Sequence, residues 1–149
     1  MLKGILAISG HSGLFKLVTE SKNNIIVESL DTNKRMPISS TSKVSSLEDV
    51  AVYTQTGDTP LKKVLKAIFD KENGGASIDP KLPENKLKEY FESILPDYDK
   101  NRVYVSNIKK ILLWYNILQE KNMLDFTEEN SEEDQSENNL KSEDQQTQL

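Results

Sequence analysis

The sequence predicts an α+β fold: a small N-terminal β-sheet or SH3-like barrel, followed by a three-helix unit. Strand-forming runs separated by turn residues fill the first part of the chain. From Thr59 onward the apolar residues recur at helical rather than strand spacing. Past Phe126 large apolar residues almost vanish and acids accumulate. The expected organisation is a β-rich, barrel-like domain over residues 1–58, a three-helix domain over 59–126 and a disordered acidic tail over 127–149.

The strands come first. Segments 13–20 (GLFKLVTE) and 24–30 (NIIVESL) are rich in β-branched and aromatic residues, and the Ser-Lys-Asn between them is turn-like. Residues 35–38 make a short third strand in which Pro37 points to a sheet edge or a strand end. Segment 49–54 (DVAVYT) alternates as a fourth strand. Residues 2–8 suit a strand or a helical turn, because seven residues are too few for periodicity to separate the two. Four or five short strands of this kind make a twisted sheet or a small open barrel.

The helices follow. Thr59 suits an N-cap with Pro60 at the first helical position, where a missing N–H costs nothing. Leu61, Val64, Leu65, Ile68 and Phe69 form one apolar stripe, which Gly74 and Gly75 bring to an end. Leu87, Tyr90, Phe91, Ile94 and Leu95 repeat the spacing after a loop with Pro80 and Pro83, and Pro96 closes this second helix. Ser106 is the expected cap of a third helix running to about Asn122. Its stripe of Ile108, Ile111, Leu112, Tyr115 and Leu118 is widened by Leu113, Trp114 and Ile117, as in a helix buried on more than one side.

Charge divides the chain unevenly. Residues 127–149 hold eight acids against Lys141, a net −7, while the whole chain is −5, so residues 1–126 carry +2. A segment so polar cannot bury enough apolar surface to offset its ordering entropy. It is expected to act as a solubilising tail; folding back onto basic surface is the alternative. The absence of cysteine excludes disulfides, thiolate nucleophiles and Cys-based metal sites, and it fits a reducing cytoplasm. No run approaches the roughly 20 apolar residues needed to span a bilayer, so no membrane association is expected.

Four segments carry a resemblance: ILAISGHSGLFKL, IIVESLD with the following KRMP, KVSSLEDVAVYT, and LPDYDKNRVYVSNIKKILLWYNIL. Together they resemble an uncharacterised bacterial family with a short β-rich N-terminal domain and a helical C-terminal domain. The resemblance covers roughly residues 1–125. It implies the two-part layout and a bacterial setting, and it brings no activity, cofactor, partner or site residue.

Each chemistry-bearing motif departs from its pattern at a defining position. Asp97, Asp99 and Asn101 occupy positions 1, 3 and 5 of an EF-hand-like loop, but its required Gly and bidentate Glu are here Arg102 and Ile108. The acids therefore read as turn formers, and no metal is expected. Ser9-Gly10-His11-Ser12-Gly13 superficially resembles a nucleophile turn, yet G-x-S-x-G needs a Gly where Leu14 stands. His11 and Ser12, adjacent on an extended chain, point to opposite faces. No phosphate loop or dinucleotide fingerprint occurs, so neither catalytic residues nor a cofactor are expected.

Two binding readings remain. A non-catalytic adaptor with a protein partner is the first, with Tyr98 and Trp114 as candidate anchors among the aromatic residues near the third helix. The alternative is a nucleic-acid-associated factor using Lys62, Lys63, Lys66, Arg102, Lys109 and Lys110, provided those basic helix faces are adjacent. Against the second stands the bland fact that Lys is the usual residue on the solvent side of an amphipathic helix.

Overall fold

The computed structural model describes residues 2–126. The expected acidic tail, 127–149, lies outside the described residues. Five strands form one antiparallel sheet: β1 (Ile5–Ile8), β2 (Phe15–Glu20), β3 (Asn24–Ser29), β4 (Arg35–Ser39) and β5 (Val44–Ser46), in the order β4-β3-β2-β1-β5. Three helices follow: α1 (Leu61–Lys71), α2 (Glu84–Ile94) and α3 (Val105–Glu120). The chain is thus α+β, and residues 5–8 are a strand.

Alternation along β1 explains the architecture. Ile5 and Ala7 face the main core, whereas Leu6 and Ile8 face a second cluster built on Ile8, Phe15, Val27 and Ile38. That second cluster consists of strand residues alone, with all five strands contributing. Val27 and Ile38 are buried there without a helix to cover them, so the sheet itself must curl around them. The curl stays open, because β4 and β5 are the two sheet edges. Pro37 sits on edge strand β4, where its missing N–H leaves no ladder partner wanting. A bulge in β2 between Leu17 and Thr19 breaks the alternation, and both Leu17 and Val18 are exposed as a result.

After β5 the chain makes a single 3-10 turn (Leu47–Asp49) and enters a separate hairpin, β6 (Ala51–Thr54) and β7 (Gly57–Pro60). Strand β7 occupies the position where the sequence passes from strand to helix spacing, and it was not expected. Its Pro60 precedes α1 rather than opening it, so Pro60 and not Thr59 stands at the N-cap. The hairpin is extended by the α2–α3 connection: the Gln55 N–H donates to the Asp97 carbonyl and the Asp99 N–H to the Tyr53 carbonyl, each at 2.9 Å.

Helix α3 is the centre of the helical part. Ile108, Ile111, Leu112, Tyr115, Ile117 and Leu118 are all buried in it. It begins earlier than expected: Tyr104 is at the N-cap and Ser106 is already inside the helix. The side chain of Asn107 explains the shift, since its Oδ1 accepts the Tyr104 N–H at 2.8 Å and fixes the entry turn. Polar residues of α3 also hold the α1–α2 connection. The Tyr115 hydroxyl donates to the Gly75 carbonyl at 2.7 Å, and the Ser77 N–H donates to Asn116 Oδ1 at 2.8 Å.

Sheet and helices share one core. Leu2, Ile5, Leu14, Leu30 and Leu47 pack in the same cluster as Leu61, Leu65, Phe91, Leu112 and Leu118. Each such side chain contributes about 1.5–3 kcal/mol on burial. The β1–β2 loop is laid directly on α3, with Ile117 Cδ1 only 3.9 Å from where a Cβ on Gly13 would stand. No helix among the described residues is long and apolar enough to cross a membrane.

Candidate binding groove

A groove runs along α3 where it faces β1, β5 and β6. It has two hollows that share Val50, Lys110 and Trp114. The first, about 540 Å³, is bounded by loop 9–13, Lys43 and Ser45. The second, about 280 Å³, is bounded by Tyr53, Arg102, Tyr104 and Asn107, with Val52, Val103 and Ile111 behind them. Neither hollow is lined by any Asp or Glu.

The second hollow is framed by rings. Tyr104 is 63% exposed and Tyr53 44%, both high for aromatic residues. Tyr104 projects because it caps α3, and Tyr53 because it lies on the outward side of β6, between buried Val52 and Thr54. The Arg102 guanidinium lies 4.1 Å from the centre of the Tyr53 ring. Arg102 Nε also donates to Asp99 Oδ2 at 3.0 Å. The Asn101 N–H and then Arg102 hold the Asp99 carboxyl below its usual range, so Asp99 stays ionised and partly neutralises Arg102.

The residues singled out in the sequence now have places. Arg102 and Lys110 meet in the groove, and Trp114, half-buried, forms its shared wall. Lys109 lies on the other side of α3, near enough to Glu84 to help Lys88 hold that carboxyl below its ordinary range. Lys62, Lys63 and Lys66 of α1 line neither hollow. Lys66 is paired with Asp70 at 3.2 Å and sits 5.9 Å from the Phe126 ring centre. The six basic residues therefore do not make one patch. Tyr98 needs a correction as well: it is 3% exposed and stacks edge-on to Phe91 at 5.0 Å, so it is a core residue and offers a partner no surface.

Asp97 and Asp99 both have hydrogen-bond partners within the fold. Asp97 Oδ2 accepts from the Thr56 hydroxyl at 3.1 Å, and Asp99 Oδ1 accepts from the Asn101 N–H at 2.9 Å. His11 is edge-on to Phe15 with ring centres 6.3 Å apart, and it makes no hydrogen bond to Ser12. Sequence reasoning missed Lys43 and Tyr53 as site residues and counted Tyr104 only among the aromatic residues near the third helix. Only the exposed place of Tyr53 in an alternating strand could have signalled one of them.

Comparison with known proteins places the chain. Residues 2–47 match the domain of unknown function DUF5606, and residues 50–118 match the domain of unknown function DUF6852. The two matches meet at the 3-10 turn that follows β5. A solution NMR structure of a protein from Bacteroides vulgatus is 43% identical, over 85% of this chain and 91% of that one, with a TM-score of 0.70. No curated protein matches. The chain belongs to an uncharacterised bacterial family that joins a DUF5606 domain to a DUF6852 domain.

Proposed function

We propose that the protein is a non-catalytic adaptor that binds a protein partner through the second hollow of the groove. The observation that carries this reading is the grouping of Tyr53, Arg102, Tyr104 and Trp114 around one concave, apolar-backed surface free of carboxylates. Trp, Tyr and Arg are the residue types that dominate binding energy at protein interfaces, and a pocket beside them receives the partner's anchor. The partner fitted to this surface presents an apolar side chain flanked by acids, which Lys110 and Arg102 would meet. A bacterial cytoplasmic setting, drawn from the lack of cysteine and from the bacterial relative, is part of the same proposal.

The test compares native recovery of partners by the full chain and by a Tyr53→Ala, Tyr104→Ala double variant, from cells of the host. A partner held by the wild type and lost by the double variant supports the reading. It is sunk if the two proteins recover the same set.

A second reading, nucleic-acid binding, draws on Lys43, Lys110 and Arg102 in one groove rather than on the α1 lysines. Three cations imply a shallow dependence of log affinity on log salt, with a slope of roughly −2 to −3. Labelled single-stranded and duplex oligonucleotides across a salt series measure it directly. A flat or absent response removes this reading and leaves the first.

A further inference from the structure

Loop 9–13 takes no part in the proposed partner surface, and the fold gives it an unusual setting. Gly10 and Gly13 have φ of +85° and +92°, so the loop takes a path that side-chain-bearing residues rarely adopt. It is pinned at one end by the Ser9 N–H on the Lys43 carbonyl at 2.9 Å, and it closes on itself through the His11 N–H on the Ile8 carbonyl at 3.0 Å. Gly10 and Ser12 are exposed, and their N–H groups donate to no protein group among the described residues. Lys43, beside the loop, and Lys110, on α3, line the same hollow, both exposed and neither in an ion pair among the described residues.

The residues that line the first hollow thus carry donors of three kinds: ammonium groups, loop amides and the hydroxyls of Ser9, Ser12 and Ser45. No carboxylate lines it to compete. Such a set suits an oxyanion with several acceptor oxygens, and backbone N–H groups in glycine-bearing turns are general anion donors. Trp114, Leu113 and Val50 give the same hollow an apolar lining. A hollow of about 540 Å³ is the size of a small-molecule site rather than of a single ion.

We infer that the first hollow is a binding site for a nucleoside monophosphate, with the phosphate held by Lys43, Lys110 and the 9–13 loop and the ring lying along Trp114. The ring lies on Trp114 because base–aromatic stacking is favourable for every base and demands no specific donor. This site adjoins the Tyr53–Tyr104 surface proposed for the partner and shares Lys110 and Trp114 with it, while Lys43 and loop 9–13 belong to it alone.

The test is an amide NMR titration of the full chain with adenosine monophosphate, ribose 5-phosphate, inorganic phosphate and adenosine, at constant ionic strength. Adenosine monophosphate is expected to move the amides of residues 9–13 and the Trp114 indole together and to saturate. The two ring-free phosphates are expected to move the loop amides with weaker affinity, and adenosine to leave them in place. Lys43→Gln and Lys110→Gln, both on exposed side chains, should each weaken binding about tenfold without altering the rest of the spectrum. Loop amides that no phosphate moves, or a double Gln variant that binds like the wild type, overturn the site. Equal affinity for phosphate and for adenosine monophosphate overturns the ring assignment. Shifts confined to residues 53 and 102–107 overturn it too, while leaving the adaptor surface standing.

Discussion

The guanidinium of Arg102 lies over the ring of Tyr53, 4.1 Å from its centre, and joins the α2–α3 connection to strand β6. The stack sits at the surface, where a cation–π contact is worth about 0.5–1 kcal/mol. Tyr53→Ala should therefore lower stability by about that amount while removing an anchor of the proposed partner surface. Chemical denaturation checks the first part. A loss above about 2 kcal/mol would mean that Tyr53 serves the fold instead.

Tyr98 and Tyr104 are six residues apart and should behave oppositely. Tyr98 is buried against Phe91, so Tyr98→Ala is expected to cost about 3–5 kcal/mol, in line with other large-to-small core changes. Tyr104 is mostly exposed, and Tyr104→Ala should stay within about 0.5 kcal/mol. Thermal melts of the two variants side by side read the difference. Equal melting temperatures would contradict the placement of Tyr98 in the core.

At Gly10 a Cβ would meet nothing within 4 Å, yet φ is +85°. Gly10→Ala should accordingly be destabilised by backbone conformation alone, by about 1–2 kcal/mol. Gly10→Asn, a residue that tolerates the left-handed region, should recover part of that loss. If the Ala and Asn variants are equally stable, the loop is not held in this conformation.

Alkali should reveal two of the buried tyrosines of the helical part, Tyr90 and Tyr115. Burial, aided by the Glu72 charge, pushes the Tyr115 hydroxyl up to about 12, and burial with a hydrogen bond to Glu72 pushes Tyr90 further in the same direction. An unfolded tyrosine ionises near pH 10, so the folded state resists deprotonation. The stability from these groups is present in full below about pH 10 and declines as pH rises toward 12. Denaturation midpoints between pH 9 and 12 should fall for the wild type and less steeply for Tyr115→Phe. An unchanged slope in that variant would refute the assignment.

Much of this fold was legible because local pattern and tertiary burial agree. The stripe from Leu61 to Phe69 and that from Leu87 to Leu95 each face the core as their spacing requires. Strands β5 and β7 were missed for a physical reason: Val-Ser-Ser and Gly-Asp-Thr-Pro have little strand character and exist only through pairing, β5 with the distant β1 and β7 within its hairpin. The groove was harder still. Lys43 and Lys110 share it only because the sheet returns β5 beside β1 and lays both along α3, a proximity that no local spacing encodes. Tyr98 misled because an aromatic residue in a turn between helices gives no periodic sign of its burial.

The shared core of strands and helices has a consequence for how the molecule can be divided. Leu2, Ile5, Leu14, Leu30 and Leu47 belong to one of the two matched regions, and they are covered by side chains of the other. Cutting the chain at the 3-10 turn would leave two fragments, each displaying a wet apolar face that only its counterpart can dry. The two regions should melt in a single cooperative transition, and either one expressed alone should be insoluble or should associate with the other in trans.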